Sequence, residues 1–151
     1  MKLYIDADAF PNVLKPILLR AIERLKISTI VVANKRVNIG KSRHVSCIIV
    51  NSGPDEADDR IVEMVVEGDL VITSDIPLAD RVITKKAHAI NHHGKHYTTA
   101  NIKNYLAMRN LMQELRDNGE ETKGPAPFSQ KDAHEFANQF DKFLTKHKLI
   151  V

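Results

Sequence analysis

GDLVITSDIPLAD, residues 68–80, compresses a strand, a charged turn and a helix start into one short stretch, and its reading decides the fold. Leu70, Val71, Ile72 and Thr73 form a continuous apolar, partly β-branched run with no polar alternation, the mark of a strand buried on both faces. Asp75 follows directly, and a helix is predicted over about 78–86. Upstream, Ser52-Gly53-Pro54 reads as a turn that launches a helix over about 55–67, with Gly68 placed to stop it. Downstream, Ala87 to Asn91 reads as one more strand.

The same alternation extends to the N-terminus. Leu3-Tyr4-Ile5 opens a short strand ending near Asp6, and Phe10 to Lys26 carries apolar residues at helical spacing. Within that helix Pro11 suits a first turn, whereas Pro16 is expected to kink it or delay its start. Ile27 to Ala33 is a second buried strand, 34–45 a basic loop, and Ser46 to Val50 another strand, in which Cys47 reads as an inert core residue. Apolar strands alternating with helices across short connections predict a parallel α/β sheet in three layers, with helices on both faces. Two C-terminal helices, about 99–117 and 129–148, are expected to pack on it. The second opens with Ser129 and Asp132 in a variant of the capping box and carries the stripe Phe136, Phe140, Phe143 and Leu144. Met108, Leu111, Met112 and Leu115 follow helical spacing and read as core, and 118–128 reads as a flexible loop.

At 151 residues, with 43% apolar and 27% charged residues, the chain is long enough for one domain with its own core, here 1–151. A single cysteine excludes a disulfide-stapled fold, no apolar run approaches a membrane span, and no signal-peptide pattern follows Met1, so a cytoplasmic protein is expected. The net charge of +3 conceals a segregation: residues 51–80 hold nine acids against one arginine, while the segments on either side are basic. An acidic centre within a basic surface is the field expected of a protein that binds cations centrally and a polyanion around them.

In an open parallel sheet, ligands bind beyond the carboxyl ends of the strands. Asp6 and Asp8 close the first strand, Asp75 follows the strand at 70–73, and Asp80 lies about a turn into the next helix. On the helix at 55–67, Asp55, Asp59, Glu63 and Glu67 line a solvated face, whereas Asp58 shares its face with Ile61, Val62 and Val65. Asp6, Asp8, Asp58, Asp75 and Asp80 are therefore expected to meet at one edge. Carboxylates that crowd together either hold protons or surround a hard divalent cation, and an oxygen-only set suits Mg²⁺ or Mn²⁺. Thr73 and Ser74 are placed to support these ligands through hydrogen bonds. Such a site implies metal-assisted hydrolysis of a phosphodiester, with Lys35, Arg36, Lys41, Arg43 and Lys95 available to hold a phosphate backbone. The histidines at 88, 92, 93 and 96 lack the spacing of a zinc site and read as a loop.

With IDADAFPN at 5–12, VAN at 32–34, GPDEAD at 53–58, GDLVITSDIPLAD at 68–80, NHHGKHYT at 91–98 and GPAPFSQKD at 124–132, the chain resembles the YaiI/YqxD family of small bacterial proteins, grouped with the PIN-like nuclease fold. The resemblance implies a PIN-like domain and a Mg²⁺- or Mn²⁺-dependent nuclease acting on RNA. On that likeness Asp6, Asp58 and Asp75 take the nuclease's acidic positions, Asp80 is a fourth, and Asp8 has no counterpart. Two other readings stand beside it: a haloacid-dehalogenase-like phosphatase using the Asp6-Ala7-Asp8 pattern, and a non-catalytic RNA-binding module. The oligomeric state is left open, a homodimer included.

Overall fold

The computed structural model describes residues 1–8, 10–120 and 127–147. Six strands form one sheet: β1 (Leu3–Asp6), β2 (Thr29–Ala33), β3 (Val45–Ile49), β4 (Leu70–Ile72), β5 (His88–Ile90) and β6 (His96–Tyr97), in the order β3-β2-β1-β4-β5-β6. All neighbours are parallel except β5 and β6. The parallel α/β sheet expected from the sequence is present, with one addition. The two-residue β6 was not foreseen; the chain turns back at Gly94 (φ 87°) and adds an antiparallel edge.

Five helices cover the sheet: α1 (Lys15–Leu25), α2 (Glu56–Met64), α3 (Ile76–Thr84), α4 (Ile102–Asp117) and α5 (Gln130–Lys146). Pro16 sits in the first turn of α1 and delays it, and the chain before it closes a 3-10 turn at Asn12–Leu14. α2 ends three residues before the predicted stop, because Val65 is extended and the buried Asp69 carboxylate binds the Val66 amide at 3.0 Å and the Lys2 amide at 2.9 Å. α3 starts at Ile76 because Asp75 caps it, accepting from the Leu78 amide at 3.1 Å. Ser129 and Asp132 cap α5 with the reciprocal bonds expected.

Strand alternation divides the core. Leu3, Ile5, Leu70, Ile72 and Ile90 face α1 and α5, meeting Leu18, Ile22, Phe136 and Phe140. Tyr4, Val32, Val71 and Ala89 face the other way, meeting Ile61 of α2, Leu78 and Val82 of α3 and Ile102 of α4. The result is three layers.

Two expectations about the core are corrected. Only the start of α4 packs on the sheet, through Ile102, Tyr105 and Leu106. Met108 and Leu111 are exposed by 58% and 49%, since their stripe lies roughly 130° around the helix from the packed face. Cys47 is exposed as well, because β3 is an edge strand whose outer face nothing covers among the described residues. Residues 121–126 of the predicted 118–128 loop, and residue 148 of the last predicted helix, lie outside the described residues. Among the described residues no helix is long and apolar enough to cross a membrane.

Candidate active site at the carboxyl edge of the sheet

Strand order reverses between β1 and β4, so the connections that follow these two parallel strands lead to opposite sides of the sheet, and the carboxyl edge between them is the position at which an open α/β sheet forms its ligand crevice. Register and alternation dictate what lines it. Ile5 pairs with Ile72, so the next positions, Asp6 and Thr73, are neighbours, and both lie on the face that carries Tyr4 and Val71. The Thr73 hydroxyl donates to Asp6 Oδ2 at 2.7 Å and accepts from the Asp75 amide at 3.0 Å. One buried oxygen therefore ties the end of β1 to the turn that starts α3.

Asp58 arrives from α2, whose first turn lies at the same edge. Its carboxyl is pushed up to about 7, first by burial, then by the charges of Asp75 and Asp6, by a hydrogen bond with the Asp75 side chain, and by Asp55. Asp6, only 8% exposed, is pushed up to about 6: burial dominates, the Thr73 hydroxyl opposes it, and the charges of Asp8 and Asp75 add to it. Asp6, Asp58 and Asp75 are thus brought within one another's fields. No lysine or arginine forms an ion pair with any of the three among the described residues. Asp55 holds the N-cap of α2 in the left-handed region, at φ 64°, where aspartate is one of the few residues tolerated.

The remaining predicted site residues divide. Asp8 is exposed in the loop after β1 and acts on Asp6 through its charge. Asp80 pairs with Lys103 of α4 at 3.4 Å and is not among the charges acting on Asp6 or Asp58. Ser74 does not support a carboxylate; its oxygen accepts from the backbone amide of His92 at 3.4 Å. Asp59, read as solvated, is exposed and pairs with Arg81 at 2.8 Å.

The five basic residues do not form one patch. Lys35 and Arg36 follow the carboxyl end of β2, and Lys95 lies in the turn after β5, so these three belong to the edge that holds the carboxylates. Lys41 and Arg43 lie at the opposite edge, where the His44 carbonyl accepts from Thr29 at the start of β2. A parallel crossover must return the chain to the amino end of the next strand, and 34–44 is that return.

The sequence reading passed over two groups near the acids. Tyr97 is buried, its hydroxyl accepts from Asn91 Nδ2 at 3.4 Å, and burial first, with the charge of Asp75 a lesser cause, pushes it up. His92 is buried against Phe10 (ring centroids 5.2 Å apart), and its Nε2 has no hydrogen-bond partner among the described residues.

The donor set of Asp6, Asp58 and Asp75 suits a hard divalent cation: oxygen only and without a basic partner among the described residues. As they stand the groups are not drawn onto a common point, for among the described residues no three of histidine, cysteine, aspartate or glutamate are grouped tightly enough to hold a metal ion.

Fold and site together define a doubly wound α/β domain with a nest of uncompensated carboxylates at its switch point. The chain belongs to the YaiI/YqxD family, whose model, described as "Uncharacterized BCR, YaiI/YqxD family", matches residues 4–146. It is 65% identical over 147 residues to a "UPF0178 protein" of Sulfurimonas denitrificans, with 97% of both chains covered. It is 61% identical to a protein of the same description from Sulfurovum sp., covering 97% of this chain and 99% of that one. A third, from Dechloromonas aromatica, is 51% identical over 97% of each chain. No solved structure matches.

Proposed function

We propose that the protein is a divalent-metal-dependent phosphodiesterase, a nuclease of PIN-like type with RNA as its favoured substrate. One observation carries the reading: Asp6, Asp58 and Asp75, from three separate elements, lie within one another's fields with no basic partner among the described residues, and the carboxyls of Asp6 and Asp58 are pushed up to about 6 and about 7. A structural acid looks different, as Asp69 does at the other edge with two backbone amides on its carboxylate.

Asp6, Asp58 and Asp75 would hold Mg²⁺ or Mn²⁺, with Asp8 beside them. When bound, the ion supplies charge neutralisation and an activated water for in-line attack at phosphorus. The chain's own contributions are positional. Thr73 holds Asp6 and, through the Asp75 amide, the start of α3, and the Leu78 amide fixes one Asp75 oxygen. The proton that Asp58 keeps to about pH 7 must leave before its carboxylate can act as a ligand, so the site is ready only above about pH 7. Lys35, Arg36 and Lys95 flank the crevice and favour an anionic chain across it.

The test is incubation of the purified chain with single-stranded RNA, single-stranded DNA and a small phosphomonoester in Mn²⁺. Metal-dependent cleavage of RNA is expected, falling at least about a hundredfold in Asp75→Asn. An unchanged rate in that variant overturns the assignment. Turnover of the phosphomonoester alone favours the phosphatase reading, and salt-dependent RNA binding without turnover favours a binding module.

A further inference from the structure

At the β6 edge of the sheet, α5 and the β5–β6 hairpin enclose a cavity of about 120 Å³ between Ile90, His96, Gln139, Lys142, Phe143 and Lys146. Its charges are all of one sign. Lys142 and Lys146 lie one turn apart on α5, His96 faces them from β6, and His88 of β5 and His147 beyond α5 gather around the same phenylalanine. Ring centroids are 5.6 Å apart for His96 and Phe143, 5.1 Å for His88 and Phe143, and 4.6 Å for His88 and His147. Neither lysine has an ion-pair partner among the described residues. The acids at the other end of the groove are engaged: Glu135 accepts from Gln139 at 2.9 Å and Asp132 meets His93 at 3.2 Å. The hairpin packs closely on α5: Gly94, at φ 87°, lies so near that a Cβ there would fall 2.9 Å from Gln139 Cβ.

We propose that this cavity is a binding site for a phosphate group, carried either by free phosphate or a phosphomonoester or by the backbone of an RNA strand. Two lysines at a small pocket, beside histidines that an anion can charge, suit a compact dianion with many acceptor oxygens better than a planar carboxylate, which offers two. The apolar walls of Ile90 and Phe143 strengthen the attraction by excluding water. Burial, His147 and Lys146 keep the His88 and His96 rings neutral, so an anion here is expected to draw protons onto them. The site uses none of the carboxylates at the carboxyl edge and stands or falls apart from them.

The experiment follows the imidazole resonances of the full chain by NMR between pH 5 and 8, in sodium chloride and in phosphate of matched ionic strength. In phosphate the titration midpoints of His88 and His96 should rise by about one pH unit, while His44 and His134 stay in place. The double substitution K142Q/K146Q, at two exposed positions, should remove the rise, and K146R alone should keep it. No selective rise, or an equal rise in the double variant, overturns the proposal. A tetrauridylate in place of phosphate separates the sources: if it moves the same resonances, the ligand is a backbone phosphate; if only phosphate does, it is a free phosphoryl group. Asp75→Asn should leave every arm unchanged, so this site and the nuclease reading fail separately.

Discussion

A carboxyl that holds its proton is a weakness in a folded chain near neutral pH, and Asp58 shows its size and sign. The unfolded chain releases this proton near 4, whereas the folded one keeps it to about 7. The group therefore favours folding most below about pH 4, and that contribution is lost as pH rises through 7. Asp58→Asn should raise stability at pH 8 by roughly 1–2 kcal/mol, or about 2–6 °C in thermal unfolding, and change it little at pH 4. His92 has the opposite sign. Burial first, then the charge of His93, lower it to about 4, so its contribution is complete above about 6.5 and is lost as pH falls from there toward 4. His92→Phe, which also removes the unpartnered Nε2, should flatten the acid side of the stability profile by up to about 3 kcal/mol in urea titrations. At this scale the sequence was readable where geometry is local. Asp58 betrayed itself by sharing a face with Ile61 and Val65, and Asp6 and Asp75 by ending strands. The pairing of Asp80 with Lys103, 23 residues away, left no such trace.

Among the elements, α4 and α5 carry equally convincing apolar stripes and meet different fates. Periodicity states which residues share a face and is silent about where the rest of the protein lies. Phe140 of α5 is fully packed, and Phe140→Ala should cost about 3–5 kcal/mol. Leu111 of α4 is half in water, and Leu111→Ser should stay within about 0.5 kcal/mol in the same denaturant series. A core reading of α4 predicts a large loss instead. β6 escaped notice because two residues cannot display a period of two, and the loop at 34–44 looked like one basic patch because its direction depends on the sheet order. The long helices and the buried strands were legible because each repeats its pattern several times.

For the whole molecule, charge is segregated along the chain. The acidic block at 51–80 supplies α2 and the turn into α3, two of the three walls of the crevice, and the basic segments supply its rim and the far groove. Divalent cations should therefore stabilise the fold as a ligand does. At a concentration a hundredfold above its dissociation constant, Mn²⁺ should add about 2.7 kcal/mol at pH 8, and chelation by EDTA should reverse it. At pH 5, where Asp6 and Asp58 hold protons, the gain should be largely absent, and Asp75→Asn should abolish it at either pH. Thermal unfolding in paired buffers measures all of these.

The Thr73 hydroxyl has a single hydrogen, and it is spent on Asp6 while the oxygen's lone pair is occupied by the backbone beside Asp75. That atom works as a caliper: the gap between the first and third aspartates cannot widen without snapping one of its two links. Were these aspartates to hold a cation as proposed, a guest of large ionic radius would be penalised and a small one would not, so discrimination between Ca²⁺ and Mg²⁺ would be set by a neutral side chain that touches neither.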